Sequence, residues 1–297
     1  MFFKTSRILI FIAFIAIYII WGSTYLLNKV VVTELPPFFL ASIRFLTAGI
    51  SMITIAAILK VDLSISKKQL LNTVIISFLF LVYGNSVFVW ALQYLSSGFS
   101  SLIASTQPLF VLIIMKIIDR KPLKLRSLIG VFLGVVGMCL LISQREITAT
   151  ENSFLGIAVM LTCVLSWSYG SVFVSKATLP KNYLVSAGYQ MIIGGLIQMV
   201  ISISLQETWS SPSDWSSNVQ LSMLLLVVFG GIIAFTAFNY LLKKVATEKV
   251  ATSAYVNPII ALFMGWYFLD EKLTTQSIVA SIILLTGVYF IASRKRT

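Results

Sequence analysis

The chain of 297 residues is 58% apolar and only 11% charged, and its formal net charge is +12. This composition excludes an ordinary soluble domain, in which about a quarter of the residues are charged. Segments of about 20 apolar residues recur along the whole chain. They predict an all-α integral membrane protein and exclude a membrane barrel made of short alternating strands.

Ten membrane-spanning helices are predicted from these apolar segments. In chain order they lie at 8–28, 36–58, 69–95, 97–118, 124–142, 153–175, 183–205, 218–242, 247–268 and 274–293. Only a Ser-Ser-Gly stretch separates the third from the fourth, but a single helix over 69–118 would be far longer than a bilayer of roughly 30 Å requires. A similarly tight break follows the eighth helix at Ala246 and Thr247.

The positions of lysine and arginine predict how these helices are oriented. Of the 22 Lys and Arg residues, 18 fall in loops or tails on one side of the predicted helices, whereas Lys29, Arg145 and Lys272 fall on the other. Because basic residues favour cytoplasmic loops, both termini are predicted to be cytoplasmic. The same scatter of charge beside the membrane argues against nucleic-acid binding.

A doubled unit is visible in the chain. Residues 92–143 align without a gap on residues 242–293 at an offset of 150. Earlier in each half the match is weaker, with residues 44–49 resembling residues 190–195 at an offset of 146. Internal repeats of this kind in a polytopic membrane protein point to a transporter.

The two copies are predicted to be inverted relative to each other, because each contains an odd number of spans. Loop charge agrees, since the loop at 116–126 carries five Lys or Arg residues and its partner at 270–272 carries one. We therefore expect a first five-helix repeat over 1–146 and a second, inverted repeat over 147–297.

Each copy contains a proline preceded by an amide residue, Gln107-Pro108 in the first and Asn257-Pro258 in the second. A proline removes a backbone donor, so Pro108 and Pro258 predict helix breaks with a role in gating. The amides of Gln107 and Asn257 would then contact a polar solute. The alternatives are ordinary kinks that neighbouring helices satisfy, and hydrogen bonds between helices.

Arg44 is the only basic residue deep inside a predicted span. Placing it there costs about 2.5–3.5 kcal/mol on insertion scales, so we expect it to face the bundle interior or water. In that position it could bind a substrate carboxylate. The alternatives are that Arg44 reaches the membrane surface or cross-links helix ends through backbone carbonyls.

Further candidate substrate-binding residues are aromatic or polar and lie within predicted spans. They are Trp21, Ser23 and Thr24 in the first span, Asn85 in the third, Trp167 and Tyr169 in the sixth, Asn239 in the eighth and Tyr255 in the ninth. Their rings and amides suit an amphipathic cavity, although Trp and Tyr also form belts at membrane surfaces. Gly130, Gly134 and Gly137 predict close helix packing, within a monomer or between the subunits of a homodimer.

Several kinds of chemistry lack the residues that they need. The sequence has no histidine, no phosphate-binding loop and no zinc-ligand spacing, and all ten acidic residues fall in loops or at span ends. We therefore expect no enzyme, no metal and no cofactor, and no proton relay through a carboxylate inside the membrane. The competing class is a membrane sensor or scaffold that transports nothing.

A set of short motifs resembles the drug/metabolite transporter superfamily, EamA type, and in particular its YedA-like permeases. The motifs are Trp21-Gly22-Ser23-Thr24-Tyr25, Pro36-Pro37, Arg44-Phe45 with Ala48-Gly49, Ser97-Gly98, Pro108-Leu109, Ser166-Trp167 and Ala251-Thr252-Ser253-Ala254-Tyr255-Val256-Asn257-Pro258. The resemblance covers nearly all of the chain. It is weaker after the fourth span, where Asp119-Arg120-Lys121 replaces the Gly-Glu that the family often has and only Glu271 keeps the acid.

This resemblance implies a secondary transporter in the bacterial inner (plasma) membrane. It also implies two inverted five-helix repeats around a central cavity, a small-molecule substrate and export of amino acids or other small metabolites.

Overall fold

A computed structural model describes residues 2–95, 97–120, 125–143, 153–270 and 273–292. Over these residues the chain forms helices joined by turns and short irregular segments, without β-strands, so the predicted all-α class is confirmed. The helices of the first half are α1 (Phe2–Val31), α2 (Pro37–Ile58), α3 (Lys67–Ser77), α4 (Phe88–Ala91), α5 (Ser97–Ala104), α6 (Gln107–Asp119) and α7 (Leu125–Ile142). Those of the second half are α8 (Ser153–Lys176), α9 (Tyr183–Ser204), α10 (Ser217–Leu225), α11 (Thr236–Lys244), α12 (Thr247–Val250), α13 (Ser253–Leu269) and α14 (Thr275–Ala292).

Six helical stretches of the described residues are long and apolar enough to span a membrane. They are Arg7–Val31, Pro37–Ile58, Lys67–Ala91, Phe154–Lys176, Tyr183–Ser204 and Ser217–Lys244. Shorter apolar helices cover Gln107–Ile118, Leu125–Gly137 and Thr275–Ile291. The structure therefore supports a polytopic membrane protein, whereas the count of ten spans and the side on which the termini lie stay predictions.

The predicted fourth and ninth spans are each divided into two helices. In the first copy the break lies at Ser105 and Thr106, so Pro108 falls in the first turn of α6, where a missing N–H costs no helical bond. In the second copy the break lies at Ala251 and Thr252, and Pro258 lies inside α13. The prediction that each proline marks the break itself is thus corrected, because both interruptions precede the proline by two residues or more.

Two helices contain a ten-residue π-helical segment at corresponding places in the two halves. The first (π1, Phe78–Val87) joins α3 to α4, and the second (π2, Leu226–Phe235) joins α10 to α11. In a π-helix the backbone hydrogen bonds run to different carbonyls than in an α-helix. Two carbonyls of π1 also accept hydrogen bonds from side chains of other helices. Ser166 of α8 donates to the Leu79 carbonyl at 2.9 Å, and Gln198 of α9 donates to the Leu81 carbonyl at 2.7 Å.

The two halves pack through reciprocal contacts at glycines. A Cβ built on Gly49 of α2 would lie 2.8 Å from Ile192 of α9, and one built on Gly195 would lie 2.7 Å from Leu46. At the offset of 146, Ile192 is the counterpart of Leu46 and Gly195 is the counterpart of Gly49. Contacts of the form i to j and j to i are those that a two-fold axis produces.

The same reciprocity occurs between α7 and α14. A Cβ on Gly130 would lie 2.7 Å from the Gly287 carbonyl, and a Cβ on Gly137 would lie 3.3 Å from the Ala280 carbonyl. At the offset of 150, Gly287 corresponds to Gly137 and Ala280 to Gly130. The glycine face that the sequence places on the fifth span therefore packs within the monomer.

Two carboxylates cap helices across the ends of the two halves. Glu207, just after α9, accepts hydrogen bonds from the N–H groups of Phe38 and Phe39 at 3.2 and 2.7 Å, in the first turn of α2. Glu34, between α1 and α2, accepts from the N–H of Ser216 at 3.0 Å, next to the start of α10. These bonds use donors that the first turn of a helix leaves free, so they fix one end of the bundle.

Candidate functional site

A cavity of about 130 Å³ lies between helices of both halves. It is lined by residues of α1, α2, π1, α4, α5, the start of α6, α8, α9, π2 and α13. Seven of the predicted site residues line it: Trp21, Thr24, Arg44, Asn85, Gln107, Trp167 and Asn257. Its remaining wall is largely apolar, including Phe88, Val89, Leu92 and Val164.

The contribution of α1 follows its helical period. Trp21, Thr24, Tyr25 and Asn28 all line the cavity, and their spacing of three, four and seven residues places them on one face. Ser23 lies on another face and donates its hydroxyl to the carbonyl of Ile20 at 2.7 Å. The sequence prediction omitted Tyr25 and Asn28, although the same spacing could have identified them.

Arg44 is held at the cavity wall by two amide side chains. Its Nη1 donates to Asn28 Oδ1 at 2.8 Å, and its Nη2 donates to Asn85 Oδ1 at 2.6 Å. The guanidinium carbon also lies 4.2 Å from the centroid of the Phe45 ring, a cation–π contact. Arg44 is only 4% exposed, so it faces the interior and does not extend to the membrane surface.

The guanidinium keeps donor capacity beyond these two bonds. Its Nε is buried and has no hydrogen-bond partner. A buried donor of this kind costs free energy unless a ligand or water satisfies it. No carboxylate of the described residues lines the cavity, so its wall carries a positive charge without a matching acid.

The two equivalent amides, Gln107 and Asn257, are used differently. The amide of Asn257 meets acceptors only when its nitrogen is turned toward α1. That nitrogen then lies 3.0 Å from Tyr18 O, 3.3 Å from Ile17 O and 3.0 Å from Ser253 O, and its two N–H groups can donate to them. It therefore ties α13 to the backbone of α1. Gln107 lies at the start of α6, and its Nε2 is buried without a partner.

Besides Ser23, three predicted site residues lie away from the cavity. Tyr169 lies two residues beyond Trp167 and therefore on another face of α8. It is 43% exposed, and its ring stacks on that of Phe173. Tyr255 is buried, and its hydroxyl lies near Gly134 of α7. Asn239 lies one helical turn beyond Phe235, which lines the cavity, and its Oδ1 accepts a hydrogen bond from Gln190 Nε2 at 3.0 Å.

An aromatic cluster, defined as Trp21, Phe80, Trp167, Phe235 and Phe238, adjoins the cavity. Its shortest contacts are 4.6 Å between the centroids of Phe80 and Trp167 and 4.7 Å between those of Trp21 and Phe238. Trp21, Trp167 and Phe235 line the cavity, whereas Phe80 and Phe238 are fully buried behind them. Four helical stretches therefore meet in one closely packed set of rings.

Next to this cluster, the Tyr18 hydroxyl is hydrogen-bonded to Thr252 Oγ1 at 3.0 Å. The bond joins α1 to the break between α12 and α13. Together with the bonds of Asn257, it fixes the interrupted helix against α1. Within the described ranges there is no group of three His, Cys, Asp or Glu side chains that could hold a metal ion.

Comparison with known proteins gives matches over nearly the whole chain. Residues 8–143 and residues 154–293 each match the EamA-like transporter family. The chain is 31% identical over 287 residues to the inner membrane transporter YedA of Escherichia coli (strain K12), covering 96% of this chain and 91% of that protein. It is 22% identical over 290 residues to the transporter YoaV of Bacillus subtilis (strain 168), covering 97% and 99%.

A crystal structure of another protein shares the fold. It matches with a TM-score of 0.73 over 94% of each chain, at 16% sequence identity. At this identity the likeness concerns the fold alone. The family resemblance predicted from the sequence motifs is confirmed by the family and sequence matches.

Proposed function

This chain belongs to the EamA-like transporter family and is a multi-pass transporter of the bacterial inner (plasma) membrane, and we propose that it exports amino acids or similar small polar metabolites by alternating access. Its partners are a small-molecule substrate and the surrounding lipids. We further propose the ten-span arrangement, with two inverted repeats and cytoplasmic termini, as the frame of this activity.

One observation carries the proposal: a cavity between the halves combines a buried guanidinium, an unpartnered amide donor and aromatic walls. In a membrane protein, a buried charge that is costly to insert marks a functional site by default. A small polar metabolite would satisfy both unpartnered donors, on Arg44 and Gln107. Its less polar part would lie against Trp21 and Trp167.

The aromatic cluster supplies a gate for such a cycle. With the predicted orientation, α3 and π1 run outward, so Phe80 lies on the cytoplasmic side of the cavity residue Gly84. The segment π2 and α11 run inward, so Phe238 lies on the cytoplasmic side of Phe235. The cluster would then close the cytoplasmic path, and separating its rings would open the cavity inward.

The reciprocal helix contacts support a movement of the two halves against each other. In a protein with inverted repeats, each repeat can adopt the conformation of the other. This exchange closes the cavity to one side of the membrane and opens it to the other. The pairs α2 with α9 and α7 with α14 lie where the repeats contact each other through glycines. Such close backbone contacts suit helices that move as units during rocking.

The test is counterflow in liposomes that contain the purified protein. A panel of amino acids, nucleosides and sugars would be measured with and without a pH gradient, since no carboxylate in the predicted spans indicates how transport is driven. We expect saturable exchange of at least one amino acid or similar polar metabolite. Exchange of no solute would overturn the proposal and favour a sensor or scaffold.

A further inference from the structure

We infer that the cavity selects its solute by a carboxylate group, held by Arg44 and Gln107, and that it rejects solutes whose only charge is positive. The inference rests on the proposed transport function and specifies the chemical class that the same site takes. It follows from three observations: which hydrogen-bond donors of the cavity wall have partners, which have none, and which charged groups lie nearby.

The first step concerns the charge of Arg44. A guanidinium has five N–H donors and does not lose its proton in proteins. The two described hydrogen bonds go to the neutral amides of Asn28 and Asn85, so they orient the group without neutralising it. The site is therefore a rigidly oriented cation inside an apolar wall, which a carboxylate can pair with through charge-assisted hydrogen bonds.

The second step concerns the unused donors. Arg44 Nε and Gln107 Nε2 are both buried and unpartnered, and both residues line the cavity. They are 4% and 8% exposed, respectively. Each donor has lost its hydrogen bond to water on burial and has gained none in return. An acceptor on the solute would supply the missing hydrogen bond. A solute that brings only donors, such as an ammonium group, restores neither.

The third step concerns the acids. The structure describes the side chains of six acidic residues, and none of these six lines the cavity. Two of them, Glu207 and Glu34, accept hydrogen bonds from backbone N–H groups at the starts of α2 and α10. A cationic solute would therefore meet a like charge and no counter-charge, which is the usual way that a site excludes the wrong partner.

The remaining wall sets the rest of the solute. Phe88, Val89 and Leu92 also line the cavity and are 9%, 2% and 1% exposed, so part of its wall is carbon. A carboxylate attached to an apolar skeleton would satisfy both parts of the wall. An amino group is tolerated only if it stays near neutral acceptors, because the wall offers it no acid.

The test uses leucine and two analogues as competitors of the solute that shows counterflow. Leucinamide lacks the carboxylate and is a cation at pH 6.5, whereas 4-methylpentanoate keeps the carboxylate and lacks the amine. We expect leucine and 4-methylpentanoate to inhibit counterflow, and leucinamide to be weaker by at least about tenfold, as for sites that read a substrate group by hydrogen bonds. Chloride at the same concentration should not compete.

A charge variant tests the site independently of Arg44, whose replacement could prevent folding because Asn28 and Asn85 depend on it. Gln107→Glu places a carboxylate in the wall of the same cavity. We expect this variant to lose inhibition by leucine and 4-methylpentanoate by about tenfold and to gain inhibition by leucinamide. Gln93→Glu, which adds the same charge at an exposed residue, should behave like the original protein.

The outcomes separate this inference from the transport function. Counterflow that leucinamide inhibits as well as 4-methylpentanoate does would overturn the carboxylate assignment and leave the transporter proposal intact. Inhibition by chloride, or by none of the three competitors, would also overturn the assignment. Unchanged selectivity in folded Gln107→Glu would remove Gln107 from the site. Absence of counterflow for every solute would overturn the transport function itself.

Discussion

Replacing each of the two repeat-related amides by leucine should affect stability differently. The Asn257 amide nitrogen has two N–H donors, and three carbonyl oxygens lie within reach of it, of Tyr18, Ile17 and Ser253, at 3.0, 3.3 and 3.0 Å. Hydrogen bonds between side chains and helices in membrane proteins contribute about 0.6 kcal/mol each on average. With two N–H donors, Asn257→Leu should therefore lower the free energy of unfolding by about 1 kcal/mol. Gln107→Leu removes a buried donor that has no partner, so stability should stay the same or rise.

The assay is reversible unfolding in mixed detergent micelles, together with counterflow per folded molecule. For Gln107→Leu we expect wild-type stability with reduced counterflow, because the unpartnered donor is a proposed solute contact. For Asn257→Leu we expect lost stability, since its amide ties α13 to α1. Equal destabilisation of both variants, or a larger loss in Gln107→Leu, would refute the assignment of different roles.

Three further predictions concern helix packing, capping and the aromatic cluster. Gly22→Ala should cost about 1–3 kcal/mol of unfolding free energy, because its Cβ would lie 2.5 Å from Ile260 Cβ. Gly230→Ala is the control, since the nearest atom to its Cβ lies at 3.2 Å. Equal stability of the two variants would contradict the packing argument. Glu207→Gln should cost about 0.3–1 kcal/mol at low salt through the lost interaction with the α2 terminus, and an unchanged melting temperature in detergent would show that the charge contributes nothing. Trp21→Ala should cost about 3–5 kcal/mol of unfolding free energy and increase the leak of solute through the reconstituted protein. Trp21→Phe should have a smaller effect on both. A leak in Trp21→Ala equal to that of the wild type would argue against the gate.

The candidate site was predictable from the sequence in its residue types and only partly in its members. Arg44, Gln107 and Asn85 could be identified because polar residues in apolar segments are few, and all three line the cavity. Tyr169 and Tyr255 were chosen for the same reason and lie elsewhere. Residue type shows that a side chain is unusual for a membrane, but the helix face that it occupies depends on how the helix is rotated.

Partners of the polar groups were not predictable. The sequence separation between Arg44 and Asn85 is 41 residues, and no local pattern connects them. The same holds for Asn257, whose amide bonds to the backbone of α1 more than 230 residues earlier. Equivalent positions in the two copies suggest equivalent roles for Gln107 and Asn257, yet the two interrupted helices break at different places, and so their amides meet different surroundings.

By itself, the sequence determined the membrane class, the family and the doubled unit, because apolar content, loop charge and repeat spacing are properties of the chain alone. The tertiary structure decided which side chains share the cavity and which bind backbone. The physical reason lies in helix contacts: glycines such as Gly22 and Gly49 let backbones approach closely, and this approach fixes the rotation of each helix. That rotation directs Tyr25 and Asn28 into the cavity and leaves Ser23 outside it.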